Sequence, residues 1–183
     1  MSLTVLTDRS HAVLRRIITP YCPHLVTEKG VISYGQSSVG YDIRLGSEFR
    51  IFTNFHAGTI DPKRVRPSLL TRHVGTSCLI PPNAFVLGSS LETFHMPKDV
   101  FGLCLGKSTY ARCGIVVNLT PLEPGWVGQL TIEISNTTPL PARVYSGEGI
   151  SQIVFFKVSP APKQTYASRH GKYQGQRGVT LAR

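Results

Sequence analysis

Residues 129–136 read QLTIEISN, in which Leu130, Ile132 and Ile134 alternate with Thr131, Glu133 and Ser135. One face of an extended strand is then apolar and the other polar. The carboxylate in the polar row has two readings: it faces water, or it lines a site, and periodicity alone does not separate them. Period-two patterning recurs in GVISYG, YDIRL, EFRIFTN, TSCLI, AFVLGSS, VFGLCLG, GIVVNLT, ARVYS and ISQIVFFKV. Turn signals separate these runs, among them PPN at 81–83, EPGW at 123–126 and SGEG at 146–149. Ahead of them, TDRSHAVLRRIITPY at 7–21 carries Val13, Leu14, Ile17 and Ile18 at helical spacing behind a Thr or Asp cap, and Pro20 stops it. Ten short strands, one N-terminal helix and 13 prolines predict a mainly β chain, a sandwich or barrel of jelly-roll type with no internal repeat.

With 183 residues, 41% hydrophobic and 16% charged, the chain is expected to form a single domain over 1–183. No run of eighteen apolar residues occurs, and MSLTVLTDRSHAV lacks the basic start and long apolar stretch of a signal peptide. The expected location is cytoplasmic, with no membrane partner. Cys22, Cys78, Cys104 and Cys113 form no CxxC pair and no dense framework, so they read as reduced, mostly buried thiols.

The formal net charge of +10 adds a demand for a negatively charged partner, either nucleic acid or a small phosphorylated ligand. The last stretch, KVSPAPKQTYASRHGKYQGQRGVTLAR, holds six Lys or Arg and no acid, which by itself fits a solvated tail. A basic β-barrel that binds nucleic acid is therefore a competing class. Against it, the aromatics do not alternate with basic residues along one strand, as a base-stacking platform requires.

LGKSTYARCG at 105–114 contains GKS, but a phosphate loop needs a glycine five positions before the Gly-Lys pair, where Phe101 stands. What remains is local: STYAR can make one helical turn whose amides and Lys107 could hold an anion, with Ser108 and Arg112 projecting on one side at i and i+4. A capped surface turn with a solvated arginine is the alternative. His11, His24, His56, His73, His95 and His170 show no ligand spacing, the zinc-deaminase signature is absent, and no protein-bound metal is expected. No G-x-S-x-G elbow appears.

GKSTYARCGIVVNLTPLEPGW, QLTIEISNTTPLPARVYSGEGISQIVFF and HGKYQGQRGVTL together resemble the dCTP deaminases, relatives of the trimeric dUTPases, and ISYGQSSVGYDIRL at 32–45 is similar to the same family. The resemblance spans nearly the whole chain. It implies a dUTPase-like distorted jelly-roll or β-barrel with an N-terminal helix, a homotrimer with nucleotide sites between subunits, and a tail over about 160–183 that orders on binding and closes over the nucleotide. The implied activity is zinc-independent hydrolytic deamination of dCTP to dUTP and ammonia, feeding dUMP and dTTP synthesis. Position by position, the family's catalytic glutamate falls on Glu133, and its serine and arginine fall on Ser108 and Arg112. Its substrate contacts fall on Lys107, Ser108, Thr109, Tyr110, Ala111 and Arg112, on Thr131, Ile132 and Glu133, on Gln152, and in the tail on Tyr166, Lys172 and Gln176.

By the same resemblance, Glu133 takes a proton from the water that attacks C4 and returns it to the ring and the leaving ammonia. Ser108 positions the water or the developing C4 oxygen, and Arg112 orients Glu133 or holds the water. Burial raises the Glu133 pKa and a nearby Arg112 lowers it, with an ionised resting carboxylate expected. Mg²⁺ is expected only as an ion carried by the triphosphate, and dTTP as an inhibitor. One departure stands out: some members carry a longer segment ending in Asp before Pro-Gly-Trp, whereas here TPLEPGW is shorter and offers Glu123. Some relatives also hydrolyse dUTP to dUMP and pyrophosphate, so a bifunctional deaminase and dUTPase, or a dUTPase alone, is the second expectation.

Overall fold

A computed structural model describes residues 2–52 and 59–182. Among these residues two six-stranded sheets supply one core, and all the pairings within them are antiparallel. The first sheet centres on Gly149–Ser159. Val100–Gly106 pairs along one edge of that strand, while Tyr41–Arg44 and Ser2–Val5 follow one another along the other; Tyr34–Gln36 and Leu25–Val26 extend the sheet. The second sheet runs Ile115–Asn118, Val127–Asn136, Phe85–His95, Glu48–Phe52 and Leu70–Val74, and Ile18–Thr19 also pairs with Phe85–His95. A two-stranded ribbon joins Ser77–Ile80 to Ala142–Tyr145.

Alternation decides which side chains meet in the middle. Ile153 and Phe155 from the first sheet, and Val86, Ile132 and Ile134 from the second, are fully buried in a single cluster. The N-terminal helix closes one side of this core with Leu14 and Ile17. Its entry is a 3₁₀ turn, Asp8–Ser10, in which Thr7 Oγ1 accepts from the Arg9 N–H and Ser10 Oγ accepts from the Thr7 N–H. The helix His11–Ile17 is shorter than the spacing predicts. Ile18 leaves it for an extended conformation and pairs with Phe94, and Val13 is 40% exposed.

Each of the ten predicted segments contains a strand; in EFRIFTN it is Glu48–Phe52, and Thr53 and Asn54 lie outside the described residues. Four strands were not anticipated: Ser2–Val5, Ile18–Thr19, Leu25–Val26 and Leu70–Val74. They are two to five residues long and mostly exposed, so their partners and not their own pattern define them.

The two sheets are also joined by a charged clasp. Glu92 on Phe85–His95 is 0% exposed; its carboxylate accepts from Arg44 Nε at 2.8 Å and from the Arg44 backbone N–H at 3.0 Å. Burial holds the Glu92 carboxyl above its ordinary pKa, against the opposing pull of Arg44.

Candidate active site

Glu133 sits in the middle of Val127–Asn136, a strand paired on both sides: Asn118 lies opposite it on one neighbour and Leu87 on the other. The apolar row Leu130, Ile132 and Ile134 is buried, as the alternation requires. The polar row Gln129, Thr131, Glu133 and Ser135 is half-buried and not solvated. A register shift between Gln129 and Thr131 breaks the pairing with Phe85–His95. Such irregularities re-aim side chains next to sites.

Thr131 and Glu133 border a cavity of about 610 Å³, the size range of a small-ligand pocket. Its walls are mainly apolar: Leu87 and Leu130 line it with Trp126, whose indole N–H donates to the Tyr173 carbonyl at 3.0 Å. Only two of its described lining residues are charged, the carboxylates Glu133 and Glu123, and Glu123 is paired with Arg169. Burial pushes the Glu133 carboxyl up to about 7, with a hydrogen bond from its own backbone acting the other way. Half protonated near neutrality, it can take up or release a proton there.

The tail supplies the remaining wall. Its Tyr166 N–H donates to the Pro124 carbonyl at 2.8 Å, and the Tyr173 N–H donates to the Tyr166 hydroxyl at 3.0 Å. Further along, the Gln129 N–H donates to the Gln176 carbonyl at 3.0 Å while Gln176 Nε2 donates to the Gln129 carbonyl at 2.6 Å. The Thr180 N–H then reaches Thr131 Oγ1 at 3.1 Å. Gly128 makes this approach possible, because a Cβ there would stand 2.9 Å from both the Gln176 carbonyl oxygen and the Trp126 ring. Tyr166 and Gln176 therefore border the same cavity as Glu133.

The other residues singled out in the sequence gather elsewhere. Ser108–Ala111 forms the anticipated helical turn, followed by Arg112, and both Ser108 and Arg112 are exposed. Neither borders the Glu133 cavity, and Arg112 is not among the groups that move the Glu133 pKa. The anticipated lowering by a neighbouring arginine is thus absent within one chain. Lys107 is nearly buried and forms an ion pair with Asp42. Gln152, in register with Asp42, donates from Nε2 to Ser37 Oγ at 3.4 Å. Thr109 and Ala111 are exposed, Tyr110 is buried in the core, and Lys172 is exposed outside the cavity lining. Ile132 is fully buried and does not border the cavity within one chain.

The sequence assigns no role to Trp126, Tyr173, Thr180, Ile60, Pro62 or Val65, all of which touch the cavity. Trp126 stands in the EPGW turn and ends a family-like segment, with no role of its own implied there. As the sole tryptophan, set beside a Pro-Gly turn, it was the one available pointer. Among the described residues no group of three or more His, Cys, Asp or Glu stands close enough to hold a metal ion, and His56 lies outside them.

The dCTP deaminase-like family profile matches residues 8–158. The chain is 53% identical over 175 residues to a dCTP deaminase of Sulfurovum sp. (strain NBC37-1), covering 96% of this chain and 93% of that protein. It is 56% identical over 163 residues to a dCTP deaminase of Granulibacter bethesdensis, covering 88% and 89%. A crystal structure of 2'-deoxycytidine 5'-triphosphate deaminase from Agrobacterium tumefaciens aligns with a TM-score of 0.63 at 18% identity, covering 86% of this chain. The chain spans about half the length of that crystal chain, 49%, and at this identity the likeness concerns the fold.

Proposed function

Because the chain belongs to the dCTP deaminase-like family, we propose that it hydrolyses dCTP to dUTP and ammonia with Glu133 as the proton carrier. The observation that carries this reading is Glu133 itself: a half-buried carboxyl, pushed up to about 7, on the wall of a largely apolar cavity of about 610 Å³, large enough to admit a pyrimidine. Ionised Glu133 takes a proton from water as the oxygen bonds to C4. The protonated acid donates to the ring nitrogen, and Glu133 then takes the proton of the new C4 hydroxyl and passes it to the departing amine, so that water and dCTP leave as dUTP and ammonia. A group that exchanges protons in this way contributes about 10²- to 10⁴-fold in rate when its pKa lies near the working pH. Leu87, Leu130 and Trp126 exclude bulk solvent and strengthen each polar contact that remains.

Ser108 and Arg112 belong, in this reading, to the cavity of a neighbouring copy in a homotrimer. Their exposure and their absence from their own chain's cavity support that assignment. A partner's Arg112 beside Glu133 lowers its pKa and keeps more of it ionised, while Ser108 positions the water. Lys107, Gln152 and Lys172 complete the phosphate contacts. The triphosphate brings Mg²⁺ on its own oxygens, no zinc takes part, and dTTP competes through the shared triphosphate. The product feeds dUMP and dTTP synthesis. Four unpaired cysteines among the described residues fit a reducing cytoplasm, and no described helix is long and apolar enough to cross a membrane.

Incubation with dCTP and, separately, with dUTP tests the assignment through ammonia and pyrophosphate. Ammonia from dCTP with no pyrophosphate from dUTP is expected. Pyrophosphate from both nucleotides identifies a bifunctional enzyme, and pyrophosphate from dUTP without ammonia from dCTP overturns the deaminase reading.

A further inference from the structure

The described lining of the Glu133 cavity contains no Lys, Arg or His, yet the proposed substrate is a polyanion. Positive charge must therefore reach it from outside the walls. The segment that follows residue 58 supplies such charge at the mouth. Ile60, Pro62 and Val65 border the cavity, and Ile60 is 58% exposed at the same time, which places this segment at the opening. Lys63, Arg64 and Arg66, interleaved with these positions, are all exposed. The segment's one carboxylate, Asp61, accepts from the Lys63 backbone N–H at 2.9 Å, and the Arg64 N–H closes a turn onto the Asp61 carbonyl at 3.0 Å. Pro67–Leu69 then anchors the segment through buried Leu69. No ion pair forms on the side chains of Lys63, Arg64 or Arg66 among the described residues.

We propose that Lys63, Arg64 and Arg66 form a cationic rim that captures the nucleotide's phosphate chain and steers it into the Glu133 cavity. The inference rests on the dCTP reading only for the identity of the base; the anion it recognises is a polyphosphate. The cations stand about one to two residues from side chains that line the wall, within a Debye length of about 8–10 Å, where exposed charges still act on an arriving ion. Clefts focused in this way gain association rate, about 10- to 10³-fold for whole-surface fields, and lose it as salt rises. Ionised Glu133 inside the cavity would repel a triphosphate, and the rim offsets that repulsion on entry.

Trp126 is the only tryptophan and borders the cavity, so its fluorescence reports occupancy without any need for turnover. Stopped-flow mixing with dCTP at rising salt is compared for the wild type, for Lys63→Gln/Arg64→Gln/Arg66→Gln, and for a charge-matched control, Arg15→Gln/Arg16→Gln/Lys29→Gln, whose sites are exposed and outside the segment. The rim variant is expected to associate about three- to tenfold more slowly at low salt with a flatter salt dependence, and to dissociate at the wild-type rate. The control is expected to change association less than twofold. Equal association rates and salt slopes for the rim variant and wild type overturn the rim, as does an equal loss in the control. Ammonia assays on the same wild-type sample separate the two ideas: a rim effect without ammonia release upholds phosphate capture and rejects deamination, and ammonia release without a rim effect does the reverse. Absence of both a dCTP-dependent fluorescence change and ammonia release at millimolar nucleotide rejects both.

Discussion

At Glu133 the fold accepts an energetic penalty for a reactive group. Folding raises this carboxyl from 4.5 to about 7, so the folded chain binds its proton more tightly than the unfolded chain does. The penalty is absent below about pH 4.5, grows as pH rises toward 7, and is complete above that. Glu133→Gln removes it, and the variant is expected to be more stable than the wild type by about 1–2 kcal/mol at pH 8, once partial exposure is discounted, with little difference at pH 4.5. Urea unfolding at the two pH values measures this, and equal stability at both contradicts the burial argument. The same variant should lose ammonia release by at least about 10²-fold. Arg112→Ala should move the acidic limb of the kcat/KM profile up toward pH 7, the position that burial alone sets. The sequence offered Glu133 as a member of a polar row, and alternation was right about the row but silent on its surroundings. Leu87 and Asn118 flank it only through pairing with distant strands, which no local pattern encodes.

At the level of elements, the outer and inner faces of the long strands were legible because each strand alternates on its own. The links between elements were not. Glu92 and Arg44 are 48 positions apart and occur in otherwise ordinary strand sequences, yet they form the clasp between the sheets. Arg44→Leu leaves the carboxylate buried with the residue-44 backbone N–H but without its charged partner and is expected to cost about 3–5 kcal/mol, whereas adding Glu92→Leu recovers most of the loss. Denaturant titration of the single and double variants decides this; a double variant as unstable as the single one counts against the clasp. The tail presents a similar lesson. Its lack of acids fits a solvated segment, but it is held by backbone groups of Gly125, Val127 and Gln129 and by side chains of Trp126, Gln129 and Thr131, 47 to 49 positions upstream. Gly128→Ala should push residues 175–180 off the strand and raise their amide exchange to near that of a free chain, with the core amides unchanged.

Across the whole molecule, the residues singled out in the sequence divide into two sets. Thr131, Glu133, Tyr166 and Gln176 share one cavity, while Lys107, Ser108, Arg112 and Gln152 lie apart from it. A single chain that keeps a proton carrier and its expected partners apart is half of a site in this account, and a head-to-tail ring of copies restores the whole. The most direct test mixes two strongly impaired variants, Glu133→Gln and Arg112→Ala, unfolds and refolds them together at equal amounts, and measures ammonia released from dCTP. In a ring of randomly assorted copies about a quarter of the sites pair an intact Glu133 with an intact Arg112 from the neighbour, so activity near a quarter of wild type is expected. A mixture no more active than its separate components contradicts a site shared between subunits.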